Sequence, residues 1–558
     1  MIQIQNFNFW YPGRGEATLR EVNLTVKPGE MLLLTGPTGC GKSTLLKCLN
    51  GIIPHLSGGR SMGLVLVAGM DTRSQTMAQL SARVGLVQQC PDDQIFSTII
   101  QDEVVFGPEN LCLPRQEIEK RLEWALAAVD LSGFQRRSTT ALSGGQKQRL
   151  AIASMLALRP HILALDEPIS QLDPQGAVEV LEIVKKLQQN YGVTVVMVEH
   201  RIHEVAQYVE RVAVMDEGRL VFDAPVRQAM AQAELFAGMG LRLPETVEIS
   251  RRFHQVGMTV GETVTLLKQE RRKHGSSAIS GARTHLPFFP KIRYPVDGLA
   301  AVEARDLYHR YGKKEEYTLN GVSLRVKRGE RVAVMGRNGA GKSTLLSHLA
   351  GLKAPQQGDV RIAGISFGGK LPLGMVGMVM QNPDLMLFQT SVRREIEFGL
   401  HNLRLPPAVI KERYKRVVEN FSLDRLQDDS PLALSRGQRL RVAIAAVVAM
   451  APLIVFLDEP TTGQDKRNMD GMMAALREQV DTLVFGTHDV EIALAHATRL
   501  LVLDQGRLAA DGAPRELLAD RELMNRCGLR PTPSWLVGQE LGLDNVFTPQ
   551  ELEARWIC

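Results

Sequence analysis

The feature that most constrains this chain is that its text occurs twice. Gly36-x4-Gly41-Lys42-Ser43 returns as Gly336-x4-Gly341-Lys342-Ser343, and Tyr11 as Tyr311, both at a spacing of 300 residues. Leu142-Ser143-Gly144-Gly145-Gln146 returns as Leu434-Ser435-Arg436-Gly437-Gln438, and Asp166-Glu167 as Asp458-Glu459, at 292. His200 matches His488, and Gly240-Leu241-Arg242 matches Gly528-Leu529-Arg530, at 288. A spacing that shrinks in small steps is what loop deletions leave in a duplicated unit, and a repeat of this kind sets the fold before any other signal. Two copies of one domain are therefore expected at 1–235 and 300–522. Extensions follow at 236–299, which includes a linker at Gly275-Ser-Ser-Ala-Ile-Ser-Gly281, and at 523–558.

Within each copy, apolar strand-like runs lead into polar motifs: Met31–Thr35, Ile162–Leu165 and Val193–Val198, then Arg331–Met335, Leu453–Leu457 and Leu483–Phe485. Helical stretches lie between them, which predicts an α/β fold with a largely parallel sheet. The longest uncharged apolar run, Val442–Leu457, has sixteen residues and contains Pro452. A spanning helix needs about 20 residues, so this run reads as a buried helix followed by a buried strand.

Composition narrows the partners. Apolar residues make up 44% and charged residues 23%, a globular balance. Lys plus Arg is 66 against 61 for Asp plus Glu, and a net charge of +5 argues against nucleic acid as the main partner. The six cysteines, Cys40, Cys48, Cys90, Cys112, Cys527 and Cys558, form no C-x-x-C pair, so no paired-spacing metal pattern exists. Their scatter fits a reducing compartment. No basic region followed by an apolar stretch opens the chain, so no signal peptide is expected.

Gly36, Pro37, Thr38, Gly39, Cys40, Gly41, Lys42 and Ser43, with Thr44 following, form a complete P-loop. Gly336, Arg337, Asn338, Gly339, Ala340, Gly341, Lys342 and Ser343, with Thr344, form a second. Such glycines let the backbone curl so that N–H groups face phosphate oxygens, at the positive end of a helix. Lys42 and Lys342 would reach the β/γ-phosphates, and Ser43 and Ser343 would ligate Mg²⁺. Asp166 and Asp458, each at the end of an apolar run, suit the metal's shell, and Glu167 and Glu459 suit a general base for the attacking water. His200 and His488 could hydrogen-bond the γ-phosphate.

Both halves resemble ATP-binding-cassette (ABC) ATPases, over nearly the whole chain. The signature pentapeptide of that family is matched by Leu142–Gln146. The resemblance implies two nucleotide-binding domains, each with a mostly parallel sheet, an antiparallel β subdomain and a helical subdomain, using ATP and Mg²⁺. It makes Gln89 and Gln381 the Q-loop glutamines that contact Mg²⁺ and water. It makes Gln171-Leu172-Asp173 and Gly463-Gln464-Asp465 the D-loops. Tyr11 and Tyr311 become the aromatics that stack on adenine, a contact worth about 1–3 kcal/mol for bases in general. Ser143, Gly144, Gly145 and Gln146, and Ser435, Arg436, Gly437 and Gln438, would face nucleotide held by the opposite half in a head-to-tail pairing. Arg436 replaces the first signature glycine, adding a long cation and losing that residue's freedom to take positive φ should the position need it. The two sites are therefore expected to be unequal, the one using Glu459 and the intact signature turning over faster.

Among such ATPases, Gln89-Cys-Pro-Asp-Asp-Gln-Ile-Phe96 and Gln381-Asn-Pro-Asp-Leu-Met-Leu-Phe388, each followed by Phe-Gly at Gly107 and Gly399, resemble the motor subunits of energy-coupling-factor (cobalt- and vitamin-type) importers. A proline-rich turn before a helix makes a groove for a partner's helix. The departures are Cys90, where Asn is usual, and the missing Gln in the second half. The resemblance implies a peripheral ATPase at the cytoplasmic face of the membrane, working with integral membrane coupling and substrate-binding subunits. The alternatives are a soluble tandem-cassette protein acting on ribosomes and a duplicated sugar-importer ATPase.

Overall fold

The structure is a computed structural model. It describes residues 1–13, 15–274, 300–312, 316–369, 371–460 and 466–556. The linker at 275–281 and the second D-loop, Gly463-Gln464-Asp465, lie outside the described residues. The chain divides into two compact units, Met1–Ile279 and Ser280–Cys558.

In the first unit a six-stranded sheet runs in the order Arg219–Pro225, Arg211–Asp216, Met31–Thr35, Thr194–Val198, Ile162–Asp166, Val84–Val87. All neighbours are parallel except the hairpin at the Arg219–Pro225 edge. Burial on both faces explains why the strands read as continuous apolar runs instead of alternating ones. Period-two geometry sends successive side chains to opposite faces. Leu33, Leu163, Leu165, Val195 and Met197 join one core with the helices Ile100–Asn110, Arg115–Ala128, Gly144–Leu156 and Pro174–Tyr191. Leu32, Leu34, Ala164, Val196 and Val198 join a second core. That core lies beneath the antiparallel sheet Leu19–Val26, Ile2–Trp10, Arg60–Val67, Met70–Asp71 and the helix Lys42–Leu49.

The second unit repeats this plan. Its six-stranded sheet runs Val376–Val379, Ile454–Asp458, Thr482–Gly486, Arg331–Met335, Arg499–Asp504, Arg507–Gly512. Its four-stranded sheet runs Leu319–Lys327, Ala300–His309, Gln357–Ile362, Ile365–Ser366. The uncharged run from Val442 resolves into the end of the helix Arg436–Ala449 and the strand Ile454–Asp458. No helix among the described residues is long and apolar enough to cross a membrane. The extensions share the main cores: Phe236, Leu241, Leu243 and Val247 in the first unit, and Met524, Cys527, Leu529, Trp535 and Phe547 in the second.

Candidate active site

In each unit the motif residues converge at the carboxyl ends of three adjacent parallel strands, the place where open α/β sheets gather ligands. The central strand Met31–Thr35 runs into the P-loop, its neighbour Thr194–Val198 into His200, and the next, Ile162–Asp166, into Glu167. The P-loop needs its first glycine. Gly36 sits at φ +146°, and a Cβ there would lie 2.0 Å from the Met215 carbonyl oxygen. Gly336, at φ +151°, would place one 2.3 Å from the Leu503 oxygen. Lys42 is buried, and its Nζ donates to the carbonyls of Gly36 and Pro37, each at 2.8 Å. Lys342 donates to Gly336 at 2.9 Å and Arg337 at 3.3 Å.

Ser43 Oγ donates to Asp166 Oδ1 at 2.9 Å. Asp458 lies beside Ser343, and its Oδ1 is buried with no hydrogen-bond partner. Burial pushes both aspartates above the usual carboxylate range, reinforced by the adjacent Glu167 and Glu459 charges. Glu167 and Glu459 both take left-handed backbone, at φ +47° and +49°, a conformation that side chains other than glycine adopt at a cost and that clusters at functional sites. The turn lifts each carboxylate out of its strand.

What holds the two glutamates differs. Glu167 accepts from Gln89 Nε2 at 2.6 Å and lies 2.9 Å from His200 Nε2. Glu459 lies 2.9 Å from His488 Nδ1 and forms an ion pair with Lys342 Nζ at 3.4 Å. Burial pushes Glu459 up, but the His488 and Lys342 charges outweigh it and hold the carboxyl well below the usual range. Gln381, the counterpart of Gln89, is exposed. Both histidines therefore meet the glutamates directly.

Tyr11 Oη is 3.2 Å from Thr44 Oγ1, and Tyr311 Oη is 3.1 Å from Thr344 Oγ1, which pins each aromatic beside its P-loop helix. Lys353 Nζ donates to Tyr311 Oη at 2.8 Å. Ser143 and Ser435 are N-caps with complete capping boxes to Gln146 and Gln438. Gly144, Gly145, Arg436 and Gly437 open the helices that follow. Gly144 does not have positive φ, and a Cβ there would meet Leu172 Cδ2 at an ordinary 3.8 Å. The position needs no glycine conformation: Arg436 opens a right-handed helix, which arginine favours, so what it changes is the added cation. Asp173 caps the helix Pro174–Tyr191 by accepting from Gly176 N–H at 2.8 Å.

Three duplicated features were not read from the sequence. Glu103 Oε2 accepts from the N–H groups of Phe96 and Ser97, at 3.1 and 2.9 Å. Glu395 Oε2 accepts from Phe388 and Gln389, at 2.9 and 2.8 Å. Lys147 pairs with Asp92 at 2.5 Å and Arg439 with Asp384 at 3.0 Å, tying each proline turn to its signature helix. Gln94 Oε1 accepts from Gln88 N–H, and in the second half, which lacks that glutamine, Met386 sulfur takes the matching N–H of Met380. The constant spacing of 292 between Glu103 and Glu395, and between Lys147 and Arg439, is the sequence signal that could have found the first two.

The family model of the ABC transporter matches residues 19–170 and 319–462. The chain belongs to the ABC transporter family. A "Putative ABC transporter ATP-binding protein" of Methanosarcina mazei is 46% identical to it over 99% of this chain and 95% of the relative. One of the same description from Enterococcus faecalis is 32% identical over 98% and 96%. The solved structure of CbiO1 from Clostridium perfringens, part of the ABC transporter complex CbiONQ, is 30% identical, covers 42% of this chain and 96% of its own, and has a TM-score of 0.36. The chain is an ATPase made of two ABC domains, using ATP with Mg²⁺.

The residues present fit that cation. Mg²⁺ takes oxygen ligands, commonly one or two carboxylates completed by phosphates and water. The serine hydroxyl and aspartate oxygen of each half supply such a set, and the unpartnered Asp458 Oδ1 is an acceptor in want of a cation.

Proposed function

We propose that this chain is the motor subunit of an importer of the energy-coupling-factor type, driving uptake of a vitamin, vitamin precursor or metal ion through separate membrane subunits. The observation that carries the reading is a solvent-facing aromatic pair at the same place in both units. Phe96 and Phe106 meet edge to face at 4.6 Å, and Phe388 and Phe398 at 4.9 Å. Phe96 and Phe388 are each 62% exposed. A buried carboxylate fixes the loop behind each pair, through Glu103 and Glu395. Rigid exposed aromatics suit the apolar face of a partner's helix, and the motifs around them are those that resemble the importer ATPases.

In this reading the ATPase domains end near 235 and 522, with extensions at 236–299 and 523–558. Lys42 and Lys342 bind the β/γ-phosphates, and Tyr11 and Tyr311 take adenine. Ser43, Asp166 and Gln89, or Ser343, Asp458 and Gln381, would hold Mg²⁺, which when bound would neutralise phosphate charge. Glu167 and Glu459 orient the attacking water and accept its proton, while His200 and His488 orient the glutamates. Head-to-tail pairing of the halves, implied by the resemblance, brings each signature to the other half's nucleotide. The chain works at the cytoplasmic face of the membrane. The test is purification of the full chain from detergent-solubilised membranes: two or more multispanning proteins should accompany it. Recovery with ribosomes and no membrane protein would overturn the proposal.

A further inference from the structure

Glu199 is the charged group that the reaction does not use and the fold has nonetheless buried. It is 1% exposed and directly precedes His200. Its Oε1 accepts the Ile169 N–H at 3.1 Å, and its Oε2 accepts the His200 N–H at 3.1 Å and reaches the Arg201 N–H at 3.5 Å. Its own N–H donates to the Leu34 carbonyl at 3.3 Å, in the strand that enters the P-loop. Ile169 lies two residues beyond Glu167, in the loop that leaves the left-handed turn. One carboxylate therefore bridges the backbone after Glu167 to the backbone of the histidine that meets Glu167.

A carboxylate without compensation is among the costliest groups to bury. Arg201, whose charge favours the ionised form, is itself paired with Glu204 at 3.2 Å. Burial pushes Glu199 up to about 7 in spite of Arg201. At the matching place the second half carries Thr487, whose hydroxyl accepts only the local Asp489 N–H at 3.1 Å among its described bonds. Packing alone is thus met by a small neutral residue, and the carboxylate answers a need of the first half.

We propose that Glu199 is a positioning residue of the first site. It clamps the loop leaving Glu167 to the loop carrying His200, and so sets the direction in which Glu167 addresses water. The inference rests on the reading of Glu167 as the base. It adds that Glu199 holds the backbone leaving the strained turn at Glu167, while Gln89 and His200 hold its carboxylate. Groups that act as one unit lose their effect together, so changes within such a unit are not additive.

The test uses the full chain with Glu459→Gln to silence the second site, and single-turnover ATP hydrolysis as readout. Glu199→Thr, the second half's own residue, should slow hydrolysis about 10-fold, a small part of the 10²–10⁴-fold a positioned base contributes. ATP affinity should stay within about twofold, since binding and chemistry separate when only the transition state is affected. Added to Glu167→Gln, Glu199→Thr should slow the reaction no further. Glu199→Gln, which keeps the shape and one acceptor oxygen, should fall between Glu199→Thr and the parent. An unchanged rate in Glu199→Thr, or a rate loss matched by lost affinity, overturns the inference, as does an independent loss in the Glu167→Gln background. If Glu167→Gln itself leaves hydrolysis unchanged, it is the reading of Glu167 that fails.

Discussion

Nε2 of His200 lies 2.9 Å from Oε1 of Glu167, whereas the matching His488 turns Nδ1, at the same 2.9 Å, toward Glu459. Opposite ring nitrogens thus serve one purpose in the two halves. In the proposed reading the glutamate is the base, which must be oriented as well as basic. A histidine 2.9 Å away would do this for a carboxylate on a strained turn. Glu167→Gln combined with Glu459→Gln should therefore retain ATP binding and lower hydrolysis by about 10²–10⁴-fold. Phosphate release and calorimetric ATP titration check the two halves of that statement. Wild-type turnover in the double variant would show that the glutamates have another role.

Lys42 and Lys342 are buried cations held by their own loop carbonyls. Lys42→Ala should abolish ATP binding at the first P-loop and leave the second intact, and Lys342→Ala the reverse. Lys342 also pairs with Glu459, so only Lys342→Ala should alter how readily Glu459 is protonated. Photolabelling with an ATP analogue, followed by peptide mapping, reads out each P-loop separately.

The capped signature helices lead to a stability prediction. Ser143→Ala and Ser435→Ala each remove a side-chain acceptor for a helix N–H and should cost about 1 kcal/mol. Arg436→Gly keeps the cap and should cost at most about 1 kcal/mol through helix propensity. Urea denaturation orders the three variants, and a larger loss from Arg436→Gly than from Ser435→Ala would mean that the guanidinium makes a contact the cap does not explain.

Much of this was legible beforehand, and the reason is physical. P-loop, carboxylate and signature motifs are local strings whose chemistry needs fixed spacing, so their positions at strand ends follow from the apolar runs before them. Contacts across long sequence separations were not legible. Nothing in the text places Gln89 on Glu167 but not Gln381 on Glu459, because that depends on how each loop leaves its strand. Glu199 and Glu103 look like surface acids in a one-dimensional reading. Only the folded chain shows backbone N–H groups converging on them. Whether the glycine replaced at Arg436 serves conformation or space is read only from the helical backbone there.

Glu199 should leave a mark on the pH dependence of stability. Burial pushes its carboxyl up to about 7 in the folded protein from an ordinary 4.5, with Arg201 lowering it and Glu167 and Glu204 raising it, and with His200 next in the chain. Between those values the folded state holds a proton that the unfolded state has released, so stability falls as pH rises. The whole fall is on the order of 3 kcal/mol, complete above the folded value. Glu199→Gln removes this slope, so the variant should gain on the wild type as pH goes from 4.5 toward 7. Chemical denaturation of both proteins across that range measures the difference. Parallel curves would show that the carboxylate stays ionised.

The docking proposal makes the sharpest demand on surface residues. Phe96 and Phe388 are 62% exposed, so they are not core, and charging them should leave the fold alone. Surface substitutions of this kind usually change stability by less than about 0.5 kcal/mol. Phe96→Glu and Phe388→Glu should accordingly keep thermal stability and ATP binding, yet lose the membrane subunits on purification, because a partner helix would have to bury the new charge. Each proline turn is also tied to its signature helix through Asp92–Lys147 or Asp384–Arg439. Exposed ion pairs contribute only about 0–1 kcal/mol, so Lys147→Ala should not unfold the first unit either. It should instead let the partner bind while weakening its stimulation of ATP hydrolysis, since the turn could then move without the helix. Measuring co-purification and partner-stimulated turnover together separates docking from transmission. If Phe96→Glu and Phe388→Glu together keep the membrane partners at wild-type yield, the aromatic pairs are not the docking surface.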